Sequence, residues 1–321
     1  MSQATFVARV ARKWMETPEI CGLELVSSDG GPLPPFTAGA HVDLHLPGGV
    51  VRQYSLSNDP VETHRYRIAV LREPASRGGS RAVHESIDAG QSLTVGGPRN
   101  AFALAPGAHR RLLVAGGIGI TPLLCMAEQL LREGGDFELH YAARSADRMA
   151  FRGVLADQRW AGRVQLHPDD GDPGQRLDLA RLLGTPAPDL HLYACGPVGL
   201  LQATLDTARA FGWHDANLHW ELFGASANAG PADAPFEIEL ASSGQVLAVP
   251  SGKSAAQVLV EAGTGLLTSC EQGVCGTCLT RVLAGTPDHR DSYLTPEERA
   301  ANDQFLPCCS RACGGRLVID L

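Results

Sequence analysis

Cys270, Cys275 and Cys278 are separated by four and then two residues, and Cys308 follows after twenty-nine more, with Cys309 beside it. Three thiols on one short loop and a distant fourth is the plant-type spacing for a 2Fe-2S cluster, whose iron takes soft thiolate ligands. Such a loop must wrap closely, and Gly273 and Gly276 supply the backbone freedom. Four cysteines can also hold zinc, but zinc knuckles use two short-spaced pairs, whereas here three candidates share one loop. Spacing alone leaves the fourth ligand open between Cys308 and Cys309. Cys21, Cys125 and Cys313 have no partner spacing and read as packing thiols. A disulfide framework suits a short secreted chain. This one has 321 residues and carries Arg9, Arg12 and Lys13 where a signal peptide needs an apolar run, so a reducing cytoplasm is the expected compartment.

A chain of this length holds two to three domains at about 150 residues each. The 27 basic and 35 acidic residues give a net charge of -8, which argues against general affinity for nucleic-acid phosphates. The longest uncharged apolar stretch, at 112–127, contains three glycines and a proline, so no membrane span is predicted.

Residues 5–105 alternate apolar and polar positions, as in HVDLHLP at 41–47 and RYRIAVLR at 65–72. Period two over many short runs means antiparallel strands, and a closed β-barrel would remove their exposed edges. From about residue 106 apolar runs alternate with helical patterns, which predicts an α/β domain with a parallel sheet and a ligand beyond the strand ends. The segment ASANAGPADAP at 225–235 reads as a linker. Beyond it, FEIEL and QVLAVP alternate like a hairpin, and SAAQVLVEAG predicts a short helix capped by Ser254. The division is therefore 1–105, 106–226, a linker at 227–235, and 236–321.

Arg52, Tyr54, Ser55 and Ser57 lie in RQYSLSND, where a guanidinium can pair with a phosphate, a phenol can cover a flat ring, and hydroxyls can bind polar edges. The same pattern also fits residues on one face of a sheet. RGGS at 77–80 adds an anion-binding turn, and together they describe a phosphate-bearing aromatic cofactor. In VAGGIGITPLL, Gly116, Gly117 and Gly119 allow close backbone approach, while Thr121 and Pro122 cap and begin a helix whose N-terminus suits a pyrophosphate. YACGP places Cys195 before Gly196 and Pro197 at a second strand end.

RQYSLSND, RGGS, AGGIGITP, YACGP and SCEQGVCGTC occur in the order found in the phthalate dioxygenase reductase family, which the chain resembles over nearly its whole length. The resemblance implies an FMN-binding antiparallel β-barrel, an NADH-binding α/β domain and an α+β ferredoxin domain of β-grasp type. It implies that Arg52, Tyr54, Ser55, Leu56 and Ser57 bind FMN, with Gly79 and Ser80 at its phosphate. Gly116, Gly117, Gly119, Thr121, Pro122, Gly196 and Pro197 would contact the nicotinamide nucleotide. Cys195, Thr121 and Phe223 would stand at the reacting rings. Cys270, Cys275, Cys278 and Cys308 would hold the cluster, Cys308 being preceded by FLP as in the family motif. Arg144 and the loop acids Asp169, Asp170 and Asp172 would meet the adenosine end, and carboxylates there favour NADH over NADPH.

The expected activity is an NADH-dependent FMN and iron-sulfur oxidoreductase. It would pass electrons to a terminal Rieske-type oxygenase, since plant-type clusters lie near about -400 mV and Rieske centres at about -150 to +300 mV. A non-enzymatic iron-sulfur carrier or redox sensor is the alternative. Residues 236–321 hold six basic and ten acidic side chains, so an electropositive patch on the partner is expected. A monomer is expected, and the partner's substrate is not named by this chain.

Overall fold

The computed structural model describes residues 5–74, 78–223, 234–268, 273, 276–291 and 293–321. The chain divides into two units, 1–223 and 224–321. The first unit contains two sheets, and the residue-105 boundary falls between them.

The first sheet is built from β1 (Thr5–Thr17), β2 (Ile20–Ser27), β3 (His41–Leu46), β4 (Val50–Ser55), β5 (Tyr66–Leu71) and β6 (Ser92–Arg99), in the order β4-β3-β6-β1-β2-β5. Every pairing is antiparallel. Two register shifts between β1 and β2 raise the local twist and curl the sheet. The result is a curled half barrel: no ladder pairs β4 with β5 among the described residues, and the segment after β4 makes the bridge instead. Ser57 donates its N–H to Arg67 O at 2.8 Å, and Arg67 N–H donates to Asn58 Oδ1 at 2.8 Å. The single helix of this sheet is α1 (Gly79–Ser86).

The second sheet comprises β7 (Arg110–Gly116), β8 (Asp136–Ala143), β9 (Val164–Pro168), β10 (Leu190–Gly196) and β11 (Leu218–Leu222), all parallel, in the order β11-β10-β7-β8-β9. Helices α2 (Ile120–Glu133), α3 (Arg152–Leu155), α4 (Leu179–Leu183) and α5 (Val198–Ala210) connect the strands. Strand alternation sorts the side chains: Leu113, Ala115, Tyr193 and Cys195 pack toward α2, while Leu112, Val114, Leu192 and Ala194 pack toward α5. Buried apolar residues therefore cover both faces, as a parallel sheet requires. The α2 core also takes in Ile20, Ala38, Ala69 and Phe102 from the first sheet's side, so the two sheets share one core. Ala105 N–H donates to the Tyr193 hydroxyl at 2.7 Å, and Arg132 pairs with Asp59 at 2.9 Å across the same junction.

The second unit has β12 (Phe236–Leu240), β13 (Val246–Val249), α6 (Ala255–Glu261), β14 (Thr280–Ala284), β15 (Pro287–Asp288), α7 (Pro296–Ala301), β16 (Gln304–Phe305), β17 (Arg311–Ala312) and β18 (Arg316–Ile319). Its main sheet runs β13-β12-β18-β14-β16, with β12 and β18 parallel at its centre. The expected hairpin is β12–β13, and Ser254 caps α6 in a reciprocal box with Gln257. Phe236, Ile238, Leu259, Phe305 and Leu317 form a core that belongs to this unit.

One buried polar pair sits inside the parallel sheet. His140 of β8 and His167 of β9 stack at 5.2 Å, with His140 Nδ1 3.0 Å from His167 Nε2 and His167 Nδ1 2.6 Å from Gln175 O. The carbonyl can only accept, so His167 donates from Nδ1 and accepts from His140 at Nε2. Burial holds His140 below the ordinary imidazole range, Glu138 at 3.5 Å opposes the shift, and His167 reinforces it. The unfolded chain then binds the proton more readily than the folded one. This contribution is complete above about pH 6.5 and is lost as pH falls below it. Thermal unfolding followed from pH 8 to pH 5 should show a falling melting temperature, with a shallower fall in His140→Gln.

Candidate active site and cluster loop

Strand β7 is central, its successors β8 and β9 lie to one side, and β10 lies to the other. The carboxyl ends of β7 and β10 therefore form the switch point where open α/β sheets bind ligands. Both predicted glycine turns meet there. A Cβ on Gly119 would lie 2.3 Å from Cys195 O, one on Gly116 would lie 2.4 Å from Leu200, and one on Gly196 would lie 3.0 Å from Gly116 Cα. Gly116, Gly119 and Gly196 are thus required by the packing of one turn on the other. Gly117 differs: its φ is +52° and its Cβ side is open, so it is the glycine with room for a ligand.

The helix start departs from the sequence expectation. A short 3-10 turn, Gly117–Gly119, intervenes, so α2 begins at Ile120 with Gly119 at the cap position and no side-chain cap. Thr121 is buried, and its hydroxyl donates to Ile118 O at 3.0 Å instead of capping the helix. Pro122 sits within the first turn, where backbone N–H groups have no intrahelical acceptor and its missing donor costs nothing.

Cys195 is fully buried, and burial pushes its thiol well above the ordinary range, with Glu221 adding to the shift. The protonated thiol is therefore the resting form. Glu221 pairs with Cys195 in the β10–β11 register. Its Oε2 is closed off from solvent with no hydrogen-bond partner among the described residues, and burial pushes its carboxyl up to about 8. The sequence reading missed this residue: in LHWEL it alternates with the apolar positions, and only the β10–β11 register reveals its enclosure. Phe223 follows at the end of this strand, half-buried against the core that contains Cys195 and Ile120.

On the first sheet, Arg52 of β4 runs across the first turn of α1: a Cβ on Gly79 would lie 2.5 Å from its Cγ. The α1 N-terminus carries no side-chain cap and no acidic residue in its first turn, so its N–H groups and the guanidinium together suit an anion. Tyr54 is half-buried beside them on β4, and Ser55 and Leu56 are buried. Ser57 has another task, since its hydroxyl donates to Arg67 O at 3.0 Å and helps close the sheet. Ser80 Oγ accepts from Glu73 N–H at 3.1 Å. At the far strand ends Asp172 caps its own turn by accepting from Gly174 N–H, and Arg144 has no acidic partner among the described residues.

In the second unit Cys270 and Cys275 lie outside the described residues. Cys278 and Cys308 are buried and pack in one small cluster with Ala256, Leu294 and Leu306. Gly273 and Gly276 take φ of +74° and +72°, as a tight loop requires. Cys309 is half-buried against the same cluster: its sulfur lies 3.7 Å from Leu306 O and occupies the space a Cβ on Gly273 would fill.

Residues 238–313 match the family model for a 2Fe-2S iron-sulfur cluster binding domain. Over 303 residues, covering 94% of this chain and 96% of the relative, the sequence is 54% identical to a vanillate O-demethylase oxidoreductase of Pseudomonas sp. (strain HR199 / DSM 7063). The chain belongs to the vanillate O-demethylase oxidoreductase family. This oxidoreductase is also 48% identical to the reductase subunit of a tert-butanol monooxygenase / tert-amyl alcohol desaturase of Aquincola tertiaricarbonis, over 93% of this chain and 90% of that one. It superposes with a TM-score of 0.83 on phthalate dioxygenase reductase, a solved structure described as modular and built for electron transfer from pyridine nucleotides to 2Fe-2S. That match has 38% identity and covers 99% of this chain and 98% of that one.

Two outcomes test the site of this oxidoreductase. Gly119→Ala forces a methyl group into the Cys195 carbonyl and should destabilise the first unit by about 1–3 kcal/mol in denaturant unfolding. Glu221 has a raised carboxyl, so its stabilising contribution is complete below about pH 4.5 and is lost as pH rises through about 8. Glu221→Gln should therefore gain melting temperature relative to the parent between pH 5 and pH 9.

Proposed function

We propose that this oxidoreductase is the reductase component of a two-component oxygenase or O-demethylase, carrying electrons from NADH through FMN and a 2Fe-2S cluster to a separate oxygenase chain. The observation that carries the reading is one chain with an α/β switch-point crevice in its first unit and a 2Fe-2S domain in its second. When bound, the flavin accepts a pair of electrons from the nicotinamide and releases them singly to the cluster.

The chain's own residues do the positioning. Arg52 and the α1 N-terminus at Gly79 and Ser80 hold the FMN phosphate, and Tyr54, Ser55 and Leu56 wall the flavin. Ser57 acts by closing the sheet behind them. Gly117 and the first turn of α2 at Thr121 and Pro122 receive the nicotinamide nucleotide, while Gly116, Gly119, Gly196 and Pro197 fix the crevice floor. Cys195 and Phe223 bound the space for the reacting rings. The neutral thiol of Cys195 and the neutral carboxyl of Glu221 keep the crevice free of charge that would repel an incoming electron pair. Asp172 and Arg144 meet the adenosine end, where the carboxylate favours NADH and the arginine would admit NADPH. Cys270, Cys275, Cys278 and Cys308 hold the cluster; Cys308, preceded by FLP, is chosen over its neighbour Cys309 on the family motif, and its packing beside Cys278 is compatible with that choice.

Three domains, at 1–105, 106–226 and 236–321 with a linker at 227–235, carry out the three steps, with the last in a β-grasp arrangement. The partner is a Rieske-type oxygenase, and the protein works as a cytoplasmic monomer. Substrate choice rests with the oxygenase, a reading supported by relatives named for substrates as different as vanillate and tert-butanol.

Anaerobic NADH should bleach the flavin absorbance of the purified protein and produce the paramagnetic signal of a reduced cluster. A sample whose flavin and cluster both stay oxidised refutes the reductase reading, and a colourless zinc protein refutes the cluster. Cys308→Ser should abolish cluster assembly while Cys309→Ser retains it, as iron and sulfide analysis would show.

A further inference from the structure

Asp291 is the most enclosed carboxylate described in the second unit, and its side chain is 0% exposed. It accepts from Leu294 N–H at 2.8 Å, from Tyr293 N–H at 3.2 Å and from the Ser310 hydroxyl at 3.3 Å. His289 Nδ1 lies 3.6 Å away, and Arg299 lies 3.7 Å from its carboxylate while donating to its backbone carbonyl at 2.5 Å. Gly273 packs against it, since a Cβ there would lie 2.9 Å from Asp291 Cα.

These contacts join three separate segments. Gly273 lies in sequence between Cys270 and Cys275. Leu294, held by the carboxylate, packs with Cys278 and Cys308. Ser310 is two residues beyond Cys308, is 1% exposed, and also accepts from Arg290 N–H at 3.1 Å. Three hydrogen bonds and two nearby basic side chains exceed what a simple turn needs, because the two backbone N–H bonds alone suffice for an Asp-initiated turn. Burying a carboxylate is costly unless it is paired and hydrogen-bonded, and here part of that pairing comes from the Cys308 segment.

We propose that Asp291 is the positioning residue of the cluster site, tying Gly273 to the Cys308 segment and holding a fixed negative charge against the segments that carry the ligands. The inference rests on the 2Fe-2S reading of this unit. Reduction adds one electron to the cluster, so a buried anion nearby disfavours the reduced state and lowers the potential. Arg299 lies partly in solvent at the helix α7 end of the network and offsets part of that charge.

The test is spectroelectrochemical titration of the full-length holoprotein at pH 8, with iron and sulfide analysis of each sample. Asp291→Asn keeps the shape and removes the charge, and it should favour reduction of the cluster at least tenfold, a rise of 59 mV or more for one electron. Arg299→Gln should shift the potential the opposite way by a smaller amount. Ser310→Ala should loosen the cluster, seen as faster iron loss to a chelator, with a smaller effect on potential. If Asp291→Asn does not assemble a cluster, Arg299→Gln decides alone, and an unmoved potential there overturns the proposal. Fully loaded Asp291→Asn with the parent's potential also overturns it. A parent protein without a 2Fe-2S signal overturns the cluster reading itself, and this proposal with it.

Discussion

The contact on which the first unit depends is backbone against backbone. The turns ending β7 and β10 approach so closely that Gly116, Gly119 and Gly196 have no room for a side chain. That approach sets the separation of the two central strand ends, and so defines the crevice between them. It also seats the Cys195 carbonyl under the start of α2.

Much of this layout was legible in the sequence because it depends on local chemistry. Alternation predicted the antiparallel strands, the change of period marked the parallel sheet, and Ser254 announced the start of α6. Other features were hidden because they arise from contacts distant in sequence. The glycines of VAGGIGITP and YACGP looked like ligand-facing residues, but most of them face each other. Thr121 looked like a cap, yet a 3-10 turn moved the cap to Gly119. Ser57 read as a flavin contact, and its hydroxyl also links the edges of the first sheet, a role no motif announced. Glu221 and Asp291 lacked a motif; their enclosure depends on strand register and on a network joining segments far apart in sequence.

The two units solve different electrostatic problems. In the crevice, burial keeps Cys195 and Glu221 neutral, and the local field is weak. In the second unit, Asp291 is instead buried among three hydrogen-bond donors, with His289 and Arg299 close by. The first arrangement suits the passage of a charged pair of electrons, and the second suits the setting of a potential. The acidic and basic totals of the chain conceal this difference, because neither site contributes to the solvated surface that dominates net charge.

The shared core of the two sheets bears on how the chain could be recombined. Ile20, Ala38, Ala69 and Phe102 complete the packing around α2, so a cut near residue 105 would strip apolar cover from both fragments at once. Phe236, Ile238, Leu259, Phe305 and Leu317 close a core of their own. The natural module boundary for grafting one member's 2Fe-2S unit onto another's first unit therefore lies between Phe223 and Ala234, and the two sheets of the first unit are inherited as a single block.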